Sequence, residues 1–210
     1  MKIFLIRHAK GNAQNGCWQQ PSTPLGDIGL MQAKKLSKLT RFNDTDFVIS
    51  STLQRGLETA NILVEKIKVP IISTNLVDER RQSNKIYGQN FESEIGKNYR
   101  DSFNNSGNKI VWKFDATEES VDDVTARAIK FANILIKEYK GSNIAIVSHD
   151  IFIRAFIATC ILNKQENDSS FQKLFNSLSV NNCGITLMEF SEDKSMWKIL
   201  YFNDFSYLFH

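Results

Sequence analysis

The sequence predicts an α/β protein, a three-layer α/β/α sandwich with a mainly parallel central sheet. Two observations lead to this fold class. Short apolar runs alternate with longer segments whose apolar residues recur every three or four positions, as is typical of strands joined by helices. The tail then holds two apolar runs, GITLMEF and MWKILYF, with the polar stretch SEDKS between them. We expect these runs to be the last two strands, joined by a turn.

The first part of the chain accounts for three strands and two helices. In order, we expect a strand over residues 2–6, a helix over about 27–39, a strand over 46–49, a helix over 53–67 and a strand over 70–73. The strands are short and apolar, whereas Leu57, Ala60 and Leu63 recur at helical spacing in the second helix. A loop that contains Gly, Asn and Pro, residues 11–24, follows the first strand.

The middle of the chain differs in composition. Residues 77–119 are polar and rich in Asn, Ser and Lys, and we expect them to form an insertion, or cap, built from short helices. Apolar periodicity then predicts a helix over residues 119–139, a buried strand over 143–148 and a helix over 151–162. Because we find no repeat and no interdomain linker, we expect one domain over residues 1–210 with the cap inserted in it.

Composition and charge exclude several classes of protein. Of the 210 residues, 42% are apolar, and the net charge of +3 comes from 26 basic and 23 acidic residues that are interspersed. Nucleic-acid binders usually cluster a larger positive charge, so we expect no nucleic-acid partner, whereas a small anionic ligand fits. No run approaches the roughly 18 apolar residues of a membrane span, and the first apolar run is too short for a signal peptide.

The cysteine pattern points the same way. Cys17, Cys160 and Cys183 lie far apart and form no CxxC pair, which argues against a disulfide framework and a zinc site. We therefore expect a cytoplasmic protein with no membrane partner, no metal and no cofactor.

Cationic and polar side chains follow three of the predicted strands. Arg7 and His8 follow the first strand, and His149 follows the strand over residues 143–148. A serine pair follows the second strand, with Arg55 in the first turn of the next helix. In sheets of this class, ligands bind beyond the carboxyl ends of the strands, so we expect these side chains to meet in one crevice.

Two histidines and two arginines in one crevice would form a pocket for a dianion such as a phosphoryl group. The planar guanidinium donates paired hydrogen bonds that match phosphate oxygens. A neutral imidazole can attack phosphorus as a nucleophile, and a leaving alkoxide needs a proton from an acid elsewhere in the chain. The residues therefore indicate phosphoryl chemistry and leave the acid to be found.

Five ordered sequence blocks resemble the histidine phosphatase superfamily, also called phosphoglycerate-mutase-like. They are FLIRHAK, PLGDIGLMQAKKL, SSTLQRGLETA, TEESVDDVTAR and IAIVSHDIFIRAF. The ending NDFSYL is also similar to that of the family, with Tyr207 where a histidine is common. The resemblance spans residue 2 to about residue 208. It implies the phosphoglycerate-mutase-like fold and a metal-independent phosphomonoester hydrolase, of the histidine acid type, that forms a phosphohistidine on a small phosphorylated metabolite.

The resemblance also implies roles for individual residues. His8 would be the nucleophile, and Arg7, Arg55 and His149 would complete the anion pocket, with His149 protonated beside the phosphate. The proton donor of the family follows the third strand, and the Glu-Arg register of LVDER favours Glu79. Its neighbour Asp78 is the alternative donor.

Several positions depart from the family pattern, among them Ala9, Lys10 and Gly11, which stand where Gly-Glu-Thr/Ser is usual. Gln14 stands where an asparagine is usual and keeps an amide that could donate to phosphate. Asp150 stands where a glycine is common, so that its backbone N–H would still contact phosphate, and Thr52 replaces a common proline. These departures leave the implied catalytic set intact and the substrate undefined.

Two other functions stay open at this point. A phosphoglycerate mutase would use the same phosphohistidine, but mutases carry a longer and more basic insertion than the mixed-charge segment 77–119. A phospho-ligand-binding protein without strong catalysis is the third option, although all core positions are occupied here. The oligomeric state is open, with a dimer as one option.

Overall fold

The computed structural model describes residues 1–13, 16–162 and 169–209, and it confirms the α/β fold class. The strands are β1 (Lys2–Arg7), β2 (Phe47–Ser50), β3 (Ile71–Ser73), β4 (Asn143–Ser148), β5 (Ile185–Ser191) and β6 (Met196–Asp204). The helices are α1 (Asp27–Ser37), α2 (Gln54–Ile67), α3 (Glu94–Asn104), α4 (Val121–Glu138), α5 (Asp150–Leu162) and α6 (Ser169–Ser177). Short 3-10 helices lie at Thr40–Phe42, Asn75–Val77 and Ser206–Phe209.

The six described strands form one sheet in the order β3-β2-β4-β1-β5-β6. The pairs β1–β4, β2–β4 and β2–β3 are parallel, and the tail strands β5 and β6 join antiparallel to them and to each other. Arg7 lies opposite Ser148, and Ser50 lies opposite Val147. The carboxyl ends of β1, β4 and β2 therefore meet at one edge of the sheet.

Helices cover both faces of the sheet, and β1 is buried between them. Ile3 and Leu5 pack into a core with α4, α5 and α6, whereas Phe4 and Ile6 pack into a second core with α1 and α2. A strand that is buried on both faces reads as a continuous apolar run, as this one does. Its end is consequently held rigidly where the chain turns into the loop that carries His8.

The cap segment differs from the expectation of several short helices. Within residues 77–119 the described α-helix is α3, and turns and loops make up the rest. The segment has its own small apolar cluster around Ile86, Tyr99 and Trp112. The buried Glu118 carboxylate accepts a hydrogen bond from Tyr99 and pairs with Arg80 at 3.0 Å, so a charged pair ties this cluster to the start of the segment.

Two features near the carboxyl end go beyond the sequence prediction. Helix α6 was not expected, and β6 continues to Asp204, past the MWKILYF run.

All three cysteines are free thiols. Among the described residues, the structure shows no helix that is long and apolar enough to cross a membrane.

Candidate active site

His8 directly follows β1, and its contacts show which of its two ring nitrogens carries the proton. The backbone N–H of His8 donates to the Ser148 carbonyl at 2.9 Å, and the side-chain amide of Asn182 donates to the His8 backbone carbonyl at 2.8 Å. Nδ1 of His8 lies 2.6 Å from the Ala9 carbonyl oxygen, which can only accept, so Nδ1 carries the proton. The lone pair of the neutral ring is therefore on Nε2.

Burial keeps His8 in this neutral form. It lowers the pKa of His8 well below its usual value, and the charge of Arg55 and then that of Arg7 act in the same direction, against the hydrogen bond to Ala9. Only 4% of the residue is exposed. A neutral imidazole with a free Nε2 is the form that can act as a nucleophile.

Arg55 approaches this nitrogen from the first turn of α2. Its Nε donates to Nε2 of His8 at 3.2 Å, and Nη1 donates to the Gln20 carbonyl at 3.2 Å. The Thr59 hydroxyl joins the two elements, because it donates to the Arg55 carbonyl at 2.7 Å and accepts from the Ala9 N–H at 3.0 Å. The guanidinium is thus fixed directly above the expected nucleophile.

Arg7 reaches the site from the last position of β1. Its Nη1 donates to the Val180 carbonyl at 2.6 Å, and its buried Nε has no partner among the described residues. Arg7 also lines the cavity next to His8. One side of the fork is therefore anchored to the loop before β5, whereas the hydrogen-bonding capacity of the buried Nε is unused among the described residues.

His149 lies directly after β4 and is fully buried. Its ring centroid is 4.7 Å from that of His8, and its Nε2 is 2.7 Å from the Ser51 hydroxyl. Burial is the main cause that lowers the pKa of His149 well below its usual value. Electrostatic interactions with His8, Arg55, Arg7 and Arg127 lower this pKa further. His149 is thus neutral among these groups, and its protonation beside a bound phosphate stays a prediction.

The Glu79 carboxyl lines the same cavity as Arg7, His8 and Arg55. Its Oε1 accepts from the Arg80 N–H at 2.8 Å and from the Ile151 N–H, in the first turn of α5, at 3.2 Å. Burial is the largest influence and raises the pKa of Glu79, helped by Asp150, whereas the Arg80 N–H and the two arginines oppose it. A carboxyl with a raised pKa can keep a proton to donate.

Asp78 has different partners from Glu79. Its carboxylate accepts from the Ser51 hydroxyl and the Thr52 N–H, both at 2.7 Å, and from the Thr52 hydroxyl at 2.6 Å. These bonds tie the segment after β3 to the turn after β2. The two adjacent carboxyl groups are thus in separate environments at the edge of one cavity.

Arg127 on α4 holds the segment that carries both acids. Its Nη1 donates to the Leu76 carbonyl at 2.9 Å and to the Asp78 carbonyl at 3.1 Å, and its Nη2 donates to the Glu79 carbonyl at 3.3 Å. Its Nε and Nη2 bind the two oxygens of Glu119, both at 3.0 Å. Sequence reasoning missed this residue, although it ends the TEESVDDVTAR block.

The cavity has a volume of about 820 Å³, which lies within the range of small-molecule sites. It is lined by Arg7, His8, Arg55 and Glu79, together with Trp18, Leu53, Arg81, Gln82, Tyr87 and Phe91. The residues expected to bind the phosphoryl group therefore share a wider compartment with side chains of the cap segment and of the loop after β1.

Two contacts predicted from the sequence, those of Gln14 and of the Asp150 backbone with phosphate, stay predictions. Gln14 lies outside the described residues. The Asp150 carboxylate pairs with Arg154 one helical turn further on at 3.4 Å, so the side chain stabilises α5, and the predicted backbone contact of Asp150 with phosphate stays a prediction. The loop before β5, which anchors Arg7 and His8 through Val180 and Asn182, was missed because its residues carry no recognisable pattern.

An α/β sandwich with two histidines, two arginines and a buried carboxyl at the carboxyl ends of its strands defines a class of proteins built to hold a phosphoryl group. The chain belongs to the histidine phosphatase superfamily (branch 1), whose family model matches residues 3–204. The family predicted from the sequence is thereby confirmed.

Individual proteins resemble the chain over nearly its whole length. The uncharacterized phosphatase PhoE of Bacillus subtilis is 26% identical over 208 residues, which are 98% of this chain and 96% of that protein. A solved α-ribazole phosphatase of Shigella flexneri has a TM-score of 0.80 and 20% identity, covering 97% of this chain and 96% of its own. A solved phosphoserine phosphatase mutant of Entamoeba histolytica has a TM-score of 0.74 and 24% identity, covering 99% and 98%. These structures support the fold.

Proposed function

We propose that this protein is a phosphomonoester hydrolase that forms a phosphohistidine on His8. The observation that carries the proposal is the neutral His8 ring, whose proton is held on Nδ1 by Ala9 and whose Nε2 faces a buried cationic pocket. A phosphatase rather than another phosphoryl-transfer enzyme fits the family and the name of the PhoE relative.

In the first step, Nε2 of His8 attacks phosphorus while the ester P–O bond breaks. The Nε of Arg55, which now donates to Nε2 at 3.2 Å, turns to a phosphoryl oxygen, and the unpartnered Nε of Arg7 binds another. Such cations stabilise the charge that spreads over the equatorial oxygens in the transition state. The approaching dianion favours the protonated form of His149, which takes a proton from solvent and then adds a further donor.

Glu79 supplies the proton that the leaving alkoxide needs. In the second step its carboxylate takes a proton from water, the water oxygen attacks phosphorus, and the P–Nε2 bond breaks to release phosphate and neutral His8. The raised pKa of Glu79, caused mainly by burial, suits both roles because it favours the protonated carboxyl as the acid and makes the carboxylate a stronger base. No metal takes part in either step.

Charge pairing in the cap segment favours hydrolysis over mutase activity. Three of its cations face carboxylates of the protein: Arg80 lies 3.0 Å from Glu118, Lys85 lies 3.7 Å from Asp115, and Arg100 lies 3.0 Å from Glu92. A mutase has to hold a doubly phosphorylated intermediate until it reacts again. Cations that already have partners would bind such an intermediate weakly.

The substrate class we propose is a small phosphorylated metabolite. The solved relatives carry the names phosphoserine phosphatase and α-ribazole phosphatase, and the cavity of about 820 Å³ accommodates leaving groups of that size. The cytoplasmic location stays a prediction from the sequence.

Hydrolysis of p-nitrophenyl phosphate by the wild type and by His8→Ala tests the proposal. We expect activity in the wild type that persists in EDTA and is lost in His8→Ala, together with an acid-labile, base-stable phosphoryl label on the wild type alone. Undiminished hydrolysis by His8→Ala would contradict the nucleophile. Complete dependence on added Mg²⁺ would contradict the metal-independent mechanism, and faster interconversion of phosphoglycerates than hydrolysis would favour the mutase.

A further inference from the structure

A continuous chain of hydrogen bonds links Asp78 to His149 through a buried hydroxyl. The Ser51 hydroxyl donates to Oδ1 of Asp78 at 2.7 Å, and the same oxygen atom of Ser51 lies 2.7 Å from Nε2 of His149. Ser51 and His149 are both fully buried. Asp78 takes no part in the reaction steps above, so this contact has no function assigned to it.

The direction of each bond in this chain follows from the number of protons. A hydroxyl has a single proton, and the Ser51 proton goes to Asp78 because an ionised carboxylate can only accept. Nε2 of His149 must therefore donate to Ser51. The neutral His149 ring carries its proton on Nε2 and its lone pair on Nδ1, which is buried and has no partner within the part of the protein that the structure describes.

We propose that Asp78, acting through Ser51, is a positioning residue that fixes the tautomer and orientation of His149 for phosphoryl transfer. The proposal rests on the proposed function, in which His149 binds the phosphoryl group as a cation. With Nε2–H held by Ser51, the proton gained on phosphate binding goes to Nδ1. The Asp78 anion then stabilises the imidazolium through the polarised Ser51 hydroxyl.

The surroundings of His149 make such a counter-charge necessary. Burial disfavours a positive His149, and so do His8 and Arg7 at the end of β1, Arg55 on α2 and Arg127 on α4. Asp78 is the carboxylate that reaches the ring through a single hydroxyl. Its contribution adds to that of the phosphoryl dianion, which alone would have to offset these groups.

Two substitutions interrupt the hydrogen-bond chain from Asp78 to His149 in different ways, and a third serves as a matched control. Asp78→Asn removes the charge but keeps an oxygen that can accept from Ser51 and Thr52. Ser51→Ala removes the hydroxyl that links Asp78 to His149 but leaves both hydrogen bonds between Thr52 and Asp78. Thr52→Val removes a 2.6 Å bond to the same carboxylate without touching the chain.

Two measurements on the full-length protein test the proposal. We expect Asp78→Asn and Ser51→Ala to lower kcat about tenfold or more, approaching the roughly 10²-fold cost of losing an entire charge-stabilising donor, with a smaller change in KM. Thr52→Val should keep the wild-type kcat. By ¹⁵N NMR, neutral His149 should be the Nε2–H tautomer in the wild type, and with inorganic phosphate its pKa should be lower in Asp78→Asn than in the wild type.

Several results would overturn the proposal. These are an Nδ1–H tautomer of His149 in the wild type, an unchanged kcat and NMR titration in Asp78→Asn, or an equal loss of kcat in Thr52→Val, which would show that the turn is merely structural. The NMR result distinguishes this proposal from the proposed function. A wild type that hydrolyses no phosphomonoester would contradict the function, whereas the tautomer of its His149 would still decide whether the hydrogen-bond chain exists.

Discussion

Replacing Glu79 by Gln removes the proton proposed for the leaving alkoxide and keeps the shape of the side chain. The Glu79 carboxyl accepts from the Arg80 and Ile151 N–H groups at 2.8 and 3.2 Å, and an amide oxygen can accept the same two bonds. Because burial raises the pKa of Glu79, the stabilisation from this group is present below the unfolded pKa and is lost as pH rises through the folded pKa. We therefore expect Glu79→Gln to fold normally and to be more stable than the wild type at neutral pH.

The size of the kinetic effect depends on the leaving group. A positioned general acid contributes roughly 10²–10⁴-fold, which corresponds to about 2.7–5.4 kcal/mol at 1.36 kcal/mol per tenfold change. An alkoxide needs the proton, whereas p-nitrophenolate leaves without it. In Glu79→Gln, phosphorylation of His8 should slow by about 10²–10⁴-fold with an alkyl phosphate and by less than about tenfold with p-nitrophenyl phosphate.

Rapid mixing separates the two steps. Since Glu79 is also the proposed base for water, the variant should release a burst of p-nitrophenolate close to one per enzyme and then turn over slowly, while phospho-His8 accumulates. With glycerol phosphate we expect no burst. The matched control is Asp78→Asn, which should slow both esters to a similar extent because the proposed contact of His149 is with the phosphoryl group and not with the leaving oxygen.

Two outcomes would refute this reasoning. Equal losses with both esters would show that Glu79 places the phosphoryl group instead of donating a proton. Selective loss with the alkyl ester in Asp78→Asn, and not in Glu79→Gln, would make Asp78 the acid.

Further predictions concern support of the site and pH. Arg127→Lys, which loses the fork that holds the Glu79 segment, should lower kcat on alkyl phosphates by up to about 10²-fold, whereas Arg100→Lys, at an exposed pair with Glu92, should leave kcat unchanged. Because the protonated form of Glu79 donates, kcat/KM for alkyl phosphates should fall as pH rises through its raised pKa, and Glu79→Gln should lack this limb. The lowered pKa values of His8 and His149 mean that their stabilisation is present above the unfolded value near 6.5 and lost as pH falls through the folded values. Melting temperatures should therefore drop in acid, and less so in His149→Gln.

The fold could be predicted because local patterns determine most of it. Apolar runs marked every strand of the described sheet, and helical spacing marked α1, α2, α4 and α5. Helix α6 was missed because its sequence SSFQKLFNS buries only Phe171 and Phe175, too few positions to show a period. The cap was predicted as several helices because polar composition and glycines do not distinguish a helix from the turns found there.

The base of the site could be predicted for a related reason. Arg7, His8 and His149 end or follow neighbouring parallel strands, and Arg55 opens the helix that follows a third, so topology alone brings them together. The hydrogen bonds that hold Arg7 and His8 in place could not be predicted. Their partners lie far away in the sequence, since Arg7 and Val180 are 173 positions apart and His8 and Asn182 are 174 positions apart. Such contacts depend on how the loop before β5 packs, which no local pattern records.

The choice between Asp78 and Glu79 shows most clearly what a sequence leaves undecided. The backbone at Asp78 is extended, with φ −67° and ψ 161°, and consecutive side chains of an extended chain point in opposite directions. One of the two acids must therefore face the turn after β2 and the other the first turn of α5, but the sequence does not say which. Arg127 decides this by binding the carbonyls of both residues, since a rotation of the segment that exchanged the two side chains would break these bonds. The same clamp thus places one carboxyl for the proposed proton transfer and the other for the proposed positioning of His149.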